Sequence, residues 1–332
     1  MRVLGIESSC DETAAALVED GRAVLGQVIA SQIDLHAVTG GVVPEVASRH
    51  HVERINAVIA ETLAKAGVGF DGIDAIAVAN RPGLLGALLV GVSAAKALAY
   101  ALKRPIIAVH HIEAHIYANF LVDPSIAFPV VCLVASGGHS ELLLIERHGH
   151  YTVLGRTRDD AAGEAFDKSA RLIGIGYPGG IEIDRLAKTG NPKAIRLPRA
   201  RLGAESLDFS FSGLKTAVLN ATRAELAEHS IEDWAASIQA AIVDVLVAKT
   251  MIAARRHNAA TVLAAGGVAA NSRLQAALRE QCEDACLRCV IPPPPLCTDN
   301  AAMVACAGFY RLKAGEVTPL TFDTIASAEL AR

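Results

Sequence analysis

The sequence predicts an α/β fold built from two copies of one unit. Two observations carry this. Three short β-segments followed by alternating helix and strand occur twice along the chain. The 332 residues are 52% hydrophobic and 20% charged, enough apolar surface for a packed core in each copy. That composition excludes disorder as the dominant state. The formal net charge of −4, from 31 Lys+Arg against 35 Asp+Glu, excludes a globally basic nucleic-acid binder. A local basic patch stays open, because a partner phosphate responds to local potential.

The first unit opens with a strand over 2–7, the polar turn Ser8-Ser9-Cys10-Asp11, a strand over 13–18, the turn Glu19-Asp20-Gly21-Arg22 and a strand over 23–29. Val52, Ile55, Val58, Ile59 and Leu63 recur at helical spacing and predict a helix over about 44–66. A strand over 73–78, a helix over 84–102, a strand over 106–109 and a helix over 112–121 follow. The second unit repeats the order. Strands are expected over 130–135, 141–145 and 151–154, then a helix over 161–173. Later come helices over 183–187 and 231–256, a strand over 261–265, a helix over 272–280, a strand over 287–291 and a helix over 299–313. Such alternation calls for sheets with helices on their faces. Two units side by side leave a cleft where ligands usually sit, and the polar turn after each first strand is expected to face it.

The rhythm breaks between Gly190 and Thr216, where Lys193, Arg196, Arg199, Arg201 and Lys215 cluster with Phe209 and Phe211. The expectation is an exposed, locally basic insertion on the second unit, read as an edge for an anionic partner on its length and the Phe209/Phe211 pair; the bland alternative is a solvated loop. No secretory signal is expected, because Met1-Arg2 runs directly into Val3-Leu4-Gly5-Ile6. The longest apolar run, 84–102, carries Gly86, Gly91, Ser93 and Lys96 and reads as a buried helix instead of a membrane span. Its small residues suit packing inside the domain or a dimer seam. Seven cysteines, an odd number without an export signal, predict reduced thiols in a cytoplasmic protein.

The sharpest local signal is His110-His111-Ile112-Glu113-Ala114-His115 at a strand–helix junction. His111 and His115 are four apart, so a helix projects both from one face, a geometry that suits two imidazoles on one transition metal. A lone buried histidine is commonly only satisfied core, and the pair at this spacing outweighs that reading. The pattern differs from the zinc-protease signature, where the general-base Glu directly follows the first His. Glu113 lies two places on, about 200° around the helix, which disfavours it as a base at the metal. A third ligand is needed, and Asp299 in Cys297-Thr298-Asp299-Asn300 is the best candidate, with an ordinary helix cap as its alternative. Cys282, Cys286 and Cys289 lack a matching second pair and are rejected as a zinc site; Cys289 reads as a small buried hydrophobe.

Three glycine loops come next: Ser136-Gly137-Gly138-His139-Ser140, Tyr177-Pro178-Gly179-Gly180 and Ala265-Gly266-Gly267-Val268-Ala269-Ala270-Asn271. Glycines let backbone N–H groups approach phosphate or base closely. Each alone is commonly a turn; three in a duplicated α/β chain favour nucleotide binding.

Glu7-Ser8-Ser9-Cys10-Asp11-Glu12-Thr13, Val43-Pro44-Glu45-Val46-Ala47-Ser48-Arg49, the segment 110–117, Ser136-Gly137-Gly138-His139, Gly163-Glu164-Ala165-Phe166-Asp167-Lys168, Tyr177-Pro178-Gly179-Gly180, the segments 208–216 and 266–271, and the segment 297–303 together resemble one family. It is the tRNA threonylcarbamoyladenosine transferase family, called TsaD in its bacterial form and formerly labelled a glycoprotein endopeptidase. The likeness runs in order from Met1 to about Gly308, and the opening ESSCDET and the CTDN look like the bacterial branch. Departures are small: Arg81 stands for a usual Gly, Ala135 for a usual Val and Ile181 for a usual Pro.

The resemblance implies the duplicated fold of actin, hexokinase and the heat-shock chaperone ATPases, two lobes around a nucleotide cleft. The lobes are expected at 1–122, with a C-terminal helix over 300–332 packed back on it, and at 123–299 with the insertion near 190–216. It implies transfer of threonylcarbamoyl from threonylcarbamoyl-AMP to N6 of adenosine 37 in tRNAs reading codons that begin with A. It implies one divalent metal, iron(II) before zinc, on His111, His115 and Asp299. It implies an adenylate site on Val134, Ala135, Ser136, Gly137, Gly138, Asp167, Gly180, Asp184 and Asn271. The resemblance also implies a paralogous TsaB-like partner subunit and a small TsaE-like ATPase. Asp11, Glu12 and His139 are open candidates for the catalytic base. Arg49, Arg196, Arg199, Arg201 and Lys215 are candidates for the tRNA backbone. Rival readings are a metalloprotease, a sugar kinase or chaperone of the same fold holding Mg²⁺ through carboxylates, and a silent scaffold without the metal triad.

Overall fold

The computed structural model describes residues 1–200, 202–203 and 205–330. Arg201, one of the basic candidates, lies outside the described residues, as do residues 331–332. The chain divides into two compact units, one made of Met1–Ser125 with Thr298–Leu330 and the other of Ile126–Cys297.

The first unit runs β1 (Arg2–Glu7), β2 (Glu12–Glu19), β3 (Ala23–Ser31), α1 (Ile33–Ala37), α2 (Pro44–Ala66), β4 (Ala75–Arg81), α3 (Leu85–Leu102), β5 (Ile106–His110) and α4 (His111–Val122). Its five-stranded sheet has the order β3-β2-β1-β4-β5. β1, β2 and β3 form an antiparallel meander, and β4 and β5 add in parallel beside β1. Parallel strands need a crossover, and α2 and α3 provide them. Ile55, Val58, Ile59 and Leu63 of α2 bury against Leu4, Ile6, Leu17 and Val78 of the sheet, as their spacing predicts.

The second unit runs β6 (Val130–Ala135), β7 (Ser140–Arg147), β8 (His150–Arg156), α5 (Ala162–Leu172), α6 (Gly179–Leu186), α7 (Ser212–Glu225), α8 (Ile231–Arg256), β9 (Thr261–Ala265), α9 (Ser272–Asp284), β10 (Arg288–Val290) and α10 (Pro294–Cys297). Its sheet order, β10-β9-β6-β7-β8, repeats the first: a central strand, two antiparallel neighbours on one side and two parallel on the other. The chain then returns to the first unit with α11 (Ala301–Lys313). α11 lies so close on β1 that a Cβ at Gly5 would meet the Ala301 carbonyl oxygen at 2.2 Å, so only glycine fits there.

α3 and α8 are long and apolar enough to cross a membrane. α8 instead fills the core of its unit, with Trp234, Ile238, Ile242 and Leu246 fully buried. α3 buries Ala87, Leu88, Gly91 and Val92 on the first sheet.

Two expectations need correction. The segment 190–216 is not wholly an exposed insertion. Phe209 and Phe211 stack with ring centroids 6.3 Å apart in the core, and Lys215 lies on α7. The final helix does not run over 300–332. It stops at Lys313, and Gly315, with φ at +82°, leads into an irregular tail that carries Pro319.

Candidate metal centre and adenylate loops

β5 runs straight into α4, so His110 ends a strand and His111 begins a helix. His110 caps the helix, its Nδ1 accepting from the Ile112 N–H at 3.2 Å. His111 and His115 therefore stand one turn apart on the same face, with Nε2 atoms 3.2 Å from each other. Asp299 joins them from the segment before α11. Its Oδ1 lies 3.1 Å from His115 Nε2 and 3.6 Å from His111 Nε2. The alternative role left open for Asp299 falls to its neighbour: Asn300 caps α11, accepting from the Met303 N–H at 3.0 Å. All three side chains belong to the first unit.

Behind the pair lies Glu7, fully buried at the end of β1. Its Oε2 accepts from His111 Nδ1 at 3.0 Å, and its Oε1 accepts from the Ser9 N–H at 2.6 Å. Ser9 Oγ is 3.1 Å from the same Nδ1. A histidine ring held from behind by a carboxylate presents its other nitrogen outward with fixed aim.

The electrostatics favour positive charge at this cluster. Burial works against a charged His111, yet Glu7 and Asp299 outweigh it and hold the imidazolium up to about 9. Burial likewise opposes an ionised Asp299, yet His111 and His115 hold its carboxyl down at about 2. Nearby, burial together with the Asp299 and Asp11 carboxylates pushes Glu12 up to about 10. Glu12 also accepts from Ser31 Oγ at 3.1 Å. Asp11 sits half-buried in the turn ahead of it, its carbonyl accepting from the Gln32 N–H at 3.1 Å. Glu113 points elsewhere, its carboxylate 3.6 Å from the Arg311 guanidinium.

In the second unit Val134 and Ala135 end β6, and Ser136 to His139 form the hairpin turn. Ser136 N–H donates to the His139 carbonyl at 2.8 Å, and His139 N–H to Ser136 Oγ at 3.1 Å. Gly137 and Gly138 are exposed at the tip. Gly266 backs this turn, its φ at +88° and a notional Cβ 2.5 Å from the Ala135 carbonyl oxygen. Asp167 Oδ1 accepts from the Gly179 and Gly180 N–H groups at 2.9 and 3.2 Å, at the start of α6. Burial raises its carboxyl above the ordinary value, against those two bonds. Asp184 Oδ1 accepts from Gln239 Nε2 at 2.6 Å and from the Ser272 N–H and hydroxyl at 3.1 and 2.8 Å. Asn271 caps α9 through the Leu274 N–H at 3.0 Å. Asp184 and Asn271 thus share the start of α9, and Asp167 and Gly180 share the start of α6.

Residues 23–306 match the family described as tRNA N6-adenosine threonylcarbamoyltransferase, TsaD. The protein of that name from Moorella thermoacetica is 55% identical over 331 residues, 99% of this chain and 97% of its own. The one from Geobacillus thermodenitrificans is 56% identical over 325 residues, 97% of this chain and 94% of its own. The chain belongs to the tRNA N6-adenosine threonylcarbamoyltransferase family. Among solved structures, HypF of T. kodakarensis superposes with a TM-score of 0.66 at 15% identity, covering 94% of this chain and 48% of that one. Component A of the Acidaminococcus fermentans (R)-2-hydroxyglutaryl-CoA dehydratase gives 0.56 at 13%, covering 95% of this chain and 100% of that one. Those likenesses fix the fold as the duplicated actin/hexokinase type.

The threonylcarbamoyltransferase family implies a metal-dependent enzyme, and the triad fits one. Ligands about 2.0–2.2 Å from one ion stand about 3.0–3.6 Å apart at octahedral or tetrahedral angles, and the three separations here are 3.1, 3.2 and 3.6 Å. Two imidazoles and one carboxylate are a donor set for a borderline transition ion. Sequence reading missed Glu7 and Ser9, which the fold brings to His111 from 104 and 102 residues away. The one signal was the place of Ser9 in the polar turn after β1; Glu7, the last residue of β1, carried none.

Proposed function

We propose that this chain transfers the threonylcarbamoyl group of threonylcarbamoyl-AMP to N6 of adenosine 37 in tRNAs reading codons that begin with A, releasing AMP. The observation that carries the reading is the convergence of His111 Nε2, His115 Nε2 and Asp299 Oδ1 within 3.6 Å of one another, in a chain of this family. His111, His115 and Asp299 would hold one divalent ion, iron(II) in first place and zinc(II) in second. Such an ion, when bound, supplies a Lewis acid for a carbonyl or phosphoryl oxygen. Glu7 keeps the His111 ring aimed.

The hairpin tip supplies exposed amides at Gly137 and Gly138, suited to charge on phosphate or on a developing oxyanion. Asp167 and Asp184 each spend Oδ1 on the protein, which leaves Oδ2 to accept from ribose hydroxyls. The adenine amine must lose a proton; of the three candidates, Glu12 is pushed up to about 10 and already holds its own proton near neutral pH, which leaves Asp11 and His139 as the acceptors on offer. An anticodon-loop base is single-stranded and reaches an enzyme without melting a duplex. Exposed Arg49 and Arg196 and half-exposed Lys215 suit tRNA phosphates. Arg199 is occupied by Asp244 at 2.9 Å. A TsaB-like subunit and a TsaE-like ATPase would complete the assembly. The cytoplasm, where tRNA is modified and thiols stay reduced, suits seven free cysteines.

The test is transfer to tRNA in a reconstituted mixture of this chain, its partner subunits and threonylcarbamoyl-AMP, read as modified nucleoside by mass spectrometry. His111→Ala and Asp299→Ala should lose at least about 100-fold in rate with the unfolding transition retained. Wild-type rates in either variant overturn the reading.

A further inference from the structure

We infer that residues 316–330, the irregular tail after α11, form a strap that positions the metal helix α4 through His110. The inference rests on the metal reading above and extends it to a segment with no assigned role.

β5 is the edge strand of its sheet, so one row of its backbone groups faces away from β4. The tail and α11 claim that row. Thr318 N–H donates to the Ile106 carbonyl at 2.9 Å, Ala108 N–H donates to Thr318 Oγ1 at 3.0 Å, and Arg311 Nη1 donates to the Ala108 carbonyl at 2.6 Å. The tail then crosses the ends of β4 and α3. Lys96 donates to the Phe322 carbonyl and lies 4.5 Å from the centre of its ring. Asn80 Nδ2 donates to the Asp323 carbonyl at 2.9 Å, Ile325 N–H to the Asn80 carbonyl at 3.0 Å, and Gly83 N–H to the Ala326 carbonyl at 3.1 Å.

The last anchor touches the site. His110 Nε2 lies 3.2 Å from the Ala328 carbonyl oxygen. His110 Nδ1 accepts from Ile112 N–H, so in the neutral ring Nε2 carries the proton and donates to Ala328. One buried imidazole thus ties the strap to the first turn of α4. The strap fixes the tautomer and rotamer that make His110 a cap, and the next residue is His111. A helix without its cap frays from the first turn, the turn that sets the spacing of His111 from His115. His110 is therefore a positioning residue, and the strap is what positions it.

The test is a double-mutant cycle on zinc(II) affinity, measured by competition with a chromophoric chelator. One variant lacks residues 327–332, which removes the Ala328 carbonyl and keeps every earlier anchor. The other is His110→Asn, which retains a capping acceptor and loses the reach to Ala328. Each should weaken zinc binding about tenfold. The double variant should be no weaker than either single one, because both changes remove the same contact. The thermal midpoints of the metal-free variants should stay near that of the wild-type chain. Wild-type affinity in either variant, additive losses, or losses that merely follow a falling midpoint overturn the strap. His111→Ala is the control: wild-type zinc affinity there overturns the metal site itself, and the strap with it.

Discussion

Glu7 Oε2 lies 3.0 Å from His111 Nδ1, on the side of the ring opposite the nitrogen that faces His115 and Asp299. This backing carboxylate sets the tautomer and the aim of Nε2, the nitrogen proposed to hold the metal. Glu7→Gln keeps the shape and removes the charge. It should weaken zinc(II) or iron(II) binding about 10- to 100-fold, measured by chelator competition. Unchanged affinity would mean that helix packing alone aims the ring.

Asp159 makes a different prediction, in the second unit. Its carboxylate accepts from Ser210 Oγ at 2.6 Å, Ser212 Oγ at 2.8 Å, Phe211 N–H at 2.7 Å and Ser212 N–H at 3.2 Å, holding the start of α7. Burial raises its carboxyl, and these bonds outweigh burial and leave it below its ordinary 3.8. A group lowered on folding stabilises above its unfolded value and loses that contribution as pH falls through the folded one. Asp159→Asn should cost about 1–2 kcal/mol near neutral pH, a cap's worth. The gap to the wild-type chain should narrow as pH falls below 3.8, the ordinary value, and on through the lowered folded one. Urea unfolding at pH 7 and pH 3 measures it, and a gap as wide at pH 3 as at pH 7 refutes the account.

The sequence made the repeated strand order legible because alternating and helical spacings differ, and both sheets fold in that order. It hid α7, whose SGLKTAVLNATRAE is polar enough to pass for a loop and whose start depends on Asp159, far back in the chain. The spacing of His111 and His115 was readable because it is local. Whether Asp299 caps a helix or faces the imidazoles was not, because Asn300 beside it is an equally good cap and only the packing of α11 on β1 decides. Glu7 carried no local mark, since its role exists only once β1 and α4 meet.

Glu113 separates the transferase reading from a protease one. It is 3% exposed, and its carboxylate pairs with Arg311, which also holds Glu316 at 2.6 Å. Glu113→Gln should therefore destabilise the first unit by about 1–3 kcal/mol and leave the transfer rate per folded molecule within about twofold, less than 0.5 kcal/mol of barrier. Thermal unfolding and tRNA transfer measured on one preparation check both parts. A fall in rate of 100-fold or more, without unfolding, would return Glu113 to the chemistry.

Two glycines divide the structure of the hairpin loop proposed to hold the adenylate from its proposed chemistry. Gly266 has φ at +88° and no room, since a Cβ would meet the Ala135 carbonyl oxygen at 2.5 Å. Gly266→Ala should cost more than about 1 kcal/mol and shift the end of β6, raising the KM for threonylcarbamoyl-AMP together with the loss of stability. Gly137 is exposed, and a Cβ there meets nothing within 4 Å. Gly137→Ala should leave the unfolding midpoint unchanged and obstruct only a ligand drawn close to the backbone amides. A KM for the donor raised about tenfold, which is 1.4 kcal/mol of lost binding, identifies the hairpin tip as the phosphate or acyl contact. A KM equal to wild type in Gly137→Ala, alongside a raised one in Gly266→Ala, would move the donor away from the tip and leave Gly266 a purely structural role.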